Sequence, residues 1–378
     1  MNTFSISPCT AVVNLSAIRH NYQKCAALGR MMPVIKSDAY GHGMLAVAGV
    51  LNDAGARDFA VGTVSEGVAL RDAGFTQFIT CLLGAHTAED MARAHALGIT
   101  PLITSFDALE LAAAQGTAEH PFRVGIKCNT GMTRLGFEAE ELPALLDKLA
   151  ALPHILPVLA LSHFACSDMP DEEDYTRRQT AIFAAMTDTL RDRFPQMRRS
   201  LANSAATLAR PDCRYELCRP GLVLYGGNPF YGTAQAALGA GLAWAMSLKT
   251  PVLQVRDIRA GVSVSYGRLF TAPQPTRIAV LAAGYADGFA RRTSGQGKIL
   301  LNGTLVPQVG RVCMGMIMAD VSALPHTRAG DTAWLMGGPA DGGAHAPTAF
   351  SPQDWADLQG TIPYEVMCLL GRNTREYV

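Results

Sequence analysis

Lysine is scarce in this chain. Of 32 Lys and Arg residues only six are lysine: Lys24, Lys36, Lys127, Lys148, Lys249 and Lys298. Net charge is missing as well, since 32 acidic residues balance the 32 basic ones. With no basic excess to neutralise phosphates, the composition argues against a nucleic-acid or anionic-membrane partner. No uncharged apolar run reaches the roughly 18–20 residues that a bilayer span needs. The first thirty residues lack a basic segment followed by a long apolar core, so no signal peptide is expected. The nine cysteines form no CxxC pair, and the nearest two, Cys213 and Cys218, lack metal-ligand spacing. The expectation is a cytoplasmic protein with free thiols and no metal. Phosphate loops of the GxGxxG or GxxxxGK[ST] type do not follow the first strand.

What is present is apolar residue, 49% of 378 positions. That is ample for two domains. From residue 30 to 226 short β-rich runs alternate with helical stretches. The runs are PVIKS (33–37), FAVGT (59–63), FITCLL (78–83), TPLIT (100–104), RVGIKCN (123–129), VLALSHF (158–164), RSLAN (199–203) and RPGLVLYG (219–226). Helical segments such as 65–74, 87–98 and 175–194 lie between them, several starting at Ser, Thr or Asp and ending at Gly. Eight alternations predict an α/β fold: an N-terminal (β/α)8 TIM-type barrel over 1–238, with a doubly wound open sheet as the alternative. Beyond residue 238 short β-branched segments separated by Gly and Pro turns predict a β-rich domain over 239–378.

In such a barrel, chemistry gathers where strands exit. VIKSDAYGHG (34–43) ends its strand in Lys36, with Tyr40 in the loop. The other exits carry Lys127 and Arg134, His163, Asn203 and Ser204, then Arg219 and Gly221. Each alone has an ordinary account: a snorkelling lysine, a core histidine, a helix cap, a surface ion pair. Together they describe a nucleophilic amine in a dry pocket, beside hydroxyls and backbone N–H groups fit for a phosphate. A phosphate-bearing aldehyde joined to lysine as a Schiff base is pyridoxal 5′-phosphate (PLP). A Schiff-base aldolase uses the same groups.

VIKSDAYGHG resembles the PLP-attachment signature of alanine racemases, V-x-K-A-[DN]-[GA]-Y-G-H-G, with Ser37 in place of the usual Ala. The resemblance continues in order through IKCNTGMTRLGF (126–137), SHFACSD (162–168), ANSAAT (202–207), RPGLVLYG (219–226), VSYG (264–267), GYADGF (284–289), VCM (312–314) and PYE (363–365). It implies a PLP-dependent racemase interconverting L- and D-alanine, supplying D-alanine for peptidoglycan. It implies a homodimer with shared active sites, in which each C-terminal domain serves the partner's barrel.

Lys36 would carry PLP and act as one base, and Tyr266 of the partner would be the other. Tyr40, Ser204, Gly221, Leu222 and Tyr364 match phosphate-binding positions, and Arg219 matches the contact to the pyridine nitrogen. His163 matches a residue near the ring. Arg134 and the Met314 N–H would hold the substrate carboxylate. Lys127 matches a lysine often carbamylated in the family. Tyr285 and Asp168, with Arg291 or Arg292, resemble the substrate entryway. The chain departs from the family at Gly315, where Asp is usual. This leaves a broader Ala/Ser racemase open, with a decarboxylase of the same fold and a non-catalytic PLP protein as further alternatives.

Overall fold

The computed structural model describes residues 8–339 and 348–378. They form two compact units, one of Ile18–Ala39 and Met44–Ala243, the other of Tyr40–Gly43, Trp244–Val378 and the chain up to Ala17.

Six parallel strands run in sequence order in the first unit: Asp58–Val61, Phe78–Cys81, Ile99–Ile103, Phe122–Lys127, Ile155–Leu161 and Arg198–Ser200. Two further segments close the ring. Residues 31–35 bond on one side to Ala60, through the Ile35 N–H at 2.9 Å. On the other side the Met32 N–H donates to the Cys218 carbonyl at 2.7 Å and the Val34 N–H to that of Pro220 at 2.9 Å. Leu217 and Arg219 then bond back to Arg199 and Ala202. All eight strand runs read from the sequence therefore contribute to one parallel barrel. Asp58–Val61 and Ile99–Ile103 are buried throughout, as strands covered on both faces must be. Three of the helices that follow barrel strands start at hydroxyl caps: Thr63, Thr87 and Ser105 each accept an N–H from the first turn.

The eighth run makes barrel hydrogen bonds only at its start, through Arg219 and Pro220. Leu222–Tyr225 forms a 3-10 helix, ended by Gly226 in a left-handed conformation. Four apolar residues carry no periodicity that separates strand from buried turn.

In the β-rich unit the 13-residue strand Met246–Ile258 pairs with Thr332–Met336 along its first half and with Thr276–Leu281 along its second. Ile317–Asp320, Thr304–Val309 and Lys298–Leu301 complete the circuit, so the antiparallel sheet closes on itself through six strands. Thr10–Val13, which the sequence reading counts with the barrel, joins this unit instead, between Met246–Ile258 and Thr374–Tyr377. Ile278, Val309 and Met318 form a small core that also takes in Val264, Phe270 and Cys313. Among the described residues no helix is long and apolar enough to cross a membrane.

Candidate active site

Lys36 follows directly on the first barrel segment and opens an unusual turn. Ser37, Asp38, Ala39 and Tyr40 all have φ between 53° and 56°, a left-handed helical turn built from residues other than glycine. At roughly 1–2 kcal/mol per L-residue, such a turn costs about 4–8 kcal/mol unless it is held. The Ala39 N–H donates to the Ile35 carbonyl at 2.9 Å. The Met44 N–H donates to the Asp38 carboxylate at 2.7 Å, and the Ser37 N–H to the Glu66 carboxylate at 2.7 Å. Hydrogen bonds to charged groups contribute about 1.5–3 kcal/mol each, enough to offset much of the cost.

Arg219 is 3% exposed, and among the described residues no carboxylate pairs with it. Its guanidinium donates to the Ser200 hydroxyl at 2.7 Å, to the Ser162 carbonyl at 2.5 Å and, more weakly, to the Leu201 carbonyl at 3.4 Å. Burial lowers its pKa to about 10, which still leaves it charged at neutral pH. It also faces Nδ1 of His163 at 3.3 Å. Burial first, then Arg219 and Lys127, hold the His163 pKa well below the ordinary range. The ring is therefore neutral, with Nδ1 as acceptor and its proton on Nε2. Ser162 and Ser200 carry no signal in the sequence that marks them as site residues, being small polar residues at ends of apolar runs.

Asn203, not Ser204, caps the short helix Ser204–Ala209, its side chain accepting the Ala206 N–H at 3.0 Å. This frees the Ser204 hydroxyl to meet the N–H groups of Gly221 (3.0 Å) and Val223 (3.4 Å). Leu222 opens the 3-10 helix, where an N–H has no partner within the helix. The Ser204 hydroxyl proton and the Leu222 N–H are donors suited to phosphate, and the Gly221 and Val223 N–H groups converge on the same Ser204 oxygen. With the carboxylate-free Arg219, the barrel residues fit PLP.

Lys127 is 8% exposed, and its pKa is lowered to about 7 by burial, then by Arg219 and Arg134. The loop beyond it folds back tightly: Phe137 N–H donates to the Lys127 carbonyl at 2.9 Å. A Cβ on Gly136, whose φ is +115°, would lie 2.7 Å from that same oxygen, so glycine is required there. Asn129 accepts N–H groups from Gly131 and Thr133 and so braces the loop that carries exposed Arg134. Between about pH 7 and the ordinary 10.5 the unfolded chain holds a proton on Lys127 that the folded chain does not. Stability contributed by this residue therefore rises with pH across that window, and the cost of the buried cation is fully present below about 7. In buffer free of carbon dioxide, Lys127→Met should flatten the denaturant-midpoint profile between pH 7 and 10. An unchanged slope would mean that Lys127 is not a buried amine.

The β-rich unit holds the remaining candidates. Tyr40 and Tyr364 face each other with ring centroids 5.7 Å apart. Burial, then Tyr364 and Cys368, push the Tyr40 pKa strongly up, so its phenol stays protonated and able to donate. Gly41 permits their meeting: a Cβ there would lie 2.5 Å from the Met367 carbonyl. Tyr266 stands on a turn between the paired strands Ser263–Val264 and Phe270–Thr271. That turn is anchored by the Ser265 hydroxyl, which donates to the Arg311 carbonyl at 2.7 Å and lies 3.4 Å from Cys313 Sγ. Tyr285 and Met314 lie on neighbouring loops, joined by Tyr285 N–H to Cys313 carbonyl (3.1 Å) and Ala286 N–H to Met314 carbonyl (2.9 Å). Tyr266 is 68% exposed and Met314 63%. Asp168 is also exposed, in the first unit.

The alanine racemase N-terminal domain model matches residues 13–229, and the C-terminal domain model residues 245–378. An alanine racemase of Nitratidesulfovibrio vulgaris strain DP4 is 48% identical over 374 residues, covering 99% of this chain and 98% of that one. The crystal structure of alanine racemase from E. faecalis superposes with a TM-score of 0.90 at 28% identity, covering both chains completely. That of alanine racemase from Bartonella henselae with covalently bound pyridoxal phosphate has a TM-score of 0.84 at 28% identity, over 98% of this chain and 99% of that one.

Proposed function

The chain belongs to the alanine racemase family and is a PLP-dependent enzyme that interconverts L- and D-alanine; from that premise we propose how its residues divide the work. Lys36 is the amine that carries the cofactor. The Ser204 hydroxyl and the N–H groups of Gly221 and Leu222 bind its phosphate, with the phenols of Tyr40 and Tyr364. Arg219 contacts the pyridine nitrogen. PLP, when bound, supplies an electron sink that acidifies the Cα–H of an attached amino acid.

Racemisation then needs a proton acceptor on one face of Cα and a donor on the other. The Lys36 amine serves one face and the Tyr266 hydroxyl the other. Arg219 keeps a fixed positive charge where the ring nitrogen binds, opposing a second proton there and so disfavouring transamination. Arg134 and the Met314 N–H take the substrate carboxylate. Lys127, an amine with pKa about 7, is substantially neutral at physiological pH and open to carbamylation, which would give Arg134 an anionic neighbour. Tyr285 and Asp168 line the route in.

The observation that favours a dimer is the exposure of Tyr266 and Met314. A base that must work in dry surroundings is left in water by a single chain. A second copy that covers this loop cluster completes the site, with Tyr266 acting on the partner's cofactor. None of the nine cysteines is in a disulfide, and the cytoplasm is the compartment we assign.

Gly315 bears on substrate breadth. A Cβ at this exposed position meets no atom of its own chain within 4 Å, so glycine is not required there by packing within the chain. This favours a second reading in which serine is also turned over. Incubation with L-alanine, L-serine and L-lysine in D₂O separates the readings. Loss of the Cα–H signal together with optical rotation is expected for alanine. CO₂ release, or no change in either signal, would overturn the assignment.

A further inference from the structure

The left-handed residues after Lys36 are tied down by a carboxylate from the next strand–helix unit. Glu66 is the third residue of helix Val64–Asp72, and its two oxygens serve different purposes. Oε2 accepts the N–H groups of Gly62 (2.6 Å) and Thr63 (3.2 Å). That half is ordinary: Thr63 caps the helix, and a glutamate three residues on completes the capping box. Oε1 accepts from Ser37 (2.7 Å) and, more weakly, Asp38 (3.4 Å). No helix requires that second half. It ends on the N–H next in the chain to Lys36, 29 residues away. Gly62 leaves room for the arrangement, since a Cβ there would stand 3.1 Å from Glu66 Oε2 and 3.4 Å from Lys36 Cβ.

We propose that Glu66 is a positioning residue for the reactive amine: it locks the turn that follows Lys36 in its left-handed form and thereby fixes the direction in which the lysine side chain leaves the backbone. The inference rests on Lys36 being the cofactor-bearing amine. L-residues prefer right-handed conformations, so a turn released from the carboxylate relaxes and swings the Lys36 Cα–Cβ bond. Reacting groups must hold their positions to within about 0.5 Å and 10–20°. The loss therefore falls on cofactor tethering and on kcat, while substrate binding, made by other residues, is spared.

The test compares Glu66→Ala with Thr63→Ala, which removes the helix cap but leaves the bond to Ser37. PLP affinity of each variant is measured by titration followed through the visible absorbance of the lysine-linked cofactor, alongside kcat and KM for alanine. For Glu66→Ala, PLP binding and kcat each fall about tenfold, the value of one lost charge-assisted hydrogen bond, and KM stays within about twofold. Glu66→Gln, which keeps one acceptor oxygen, falls between the alanine variant and wild type, and it carries the comparison if Glu66→Ala does not fold. Thr63→Ala lowers the melting temperature but leaves PLP binding and kcat near wild type. The proposal is overturned if Glu66→Ala matches wild type in both, or if Thr63→Ala lowers them equally, which would make Glu66 a helix cap only. If wild-type protein tethers no PLP at Lys36, the assignment of Lys36 falls, and this inference with it.

Discussion

Lys36→Ala is expected to yield a folded protein that binds PLP without tethering it, has no visible band from lysine-linked cofactor, and racemises alanine at least about 10²-fold more slowly. The lower bound is the smallest loss that follows from removing one acid–base group alone. Folding should survive because backbone N–H groups anchor the turn, to Glu66, Asp38 and Ile35. The other lysines offer one rival. Lys148 and Lys249 are engaged with Glu110 and Glu376, and Lys24 and Lys298 are exposed. Lys127 is buried and has a low pKa, so it is the amine that chemistry alone would select with equal force. Lys127→Ala should keep the band. If Lys127→Ala loses it and Lys36→Ala retains it, the roles are reversed.

Tyr266→Phe tests the second base. The equilibrium constant between enantiomers is one, so kcat/KM must fall equally in both directions, by about 10²–10⁴-fold for a lost proton-transfer group. The asymmetry appears in exchange. In D₂O the variant should wash out the Cα–H of one enantiomer, through Lys36, with retention of configuration, and leave the other untouched. PLP binding should match wild type. Because Tyr266 is 68% exposed within its own chain, loss of its hydroxyl should change the stability of the single chain by no more than about 0.5 kcal/mol. A kinetic loss is therefore not a folding loss. Racemisation near the wild-type rate, or exchange of both enantiomers, would remove Tyr266 from the mechanism.

The barrel was legible because its signals are local. Each strand run is short and apolar, three of the helices that follow start at hydroxyl caps, and Lys36, Lys127, His163 and Arg219 stand out as polar letters at the ends of such runs. Three features were not. Thr10–Val13 looks like any edge strand, and only long-range pairing with Met246–Ile258 and Thr374–Tyr377 assigns it to the β-rich unit. LVLY at 222–225 is apolar whether it forms a strand or a buried 3-10 turn. The left-handed turn over Ser37–Tyr40 contains no glycine to announce it, since its conformation is imposed by Glu66 and Asp38 rather than by its own propensities. The Thr63-x-x-Glu66 spacing could be read as a capping box, but nothing in it shows that the second oxygen reaches the lysine turn. Tyr266 was legible only through the family resemblance, since VSYG otherwise describes a plain hairpin.

Reductive trapping goes most directly to the central claim. Native protein is loaded with PLP, reduced with borohydride and digested, and the peptides are sequenced by mass spectrometry. A phosphopyridoxyl group on Lys36, within VIKSDAYGHG and on no other lysine, is the result this account predicts; the group on Lys127 or elsewhere, or no covalent adduct at all, would contradict it.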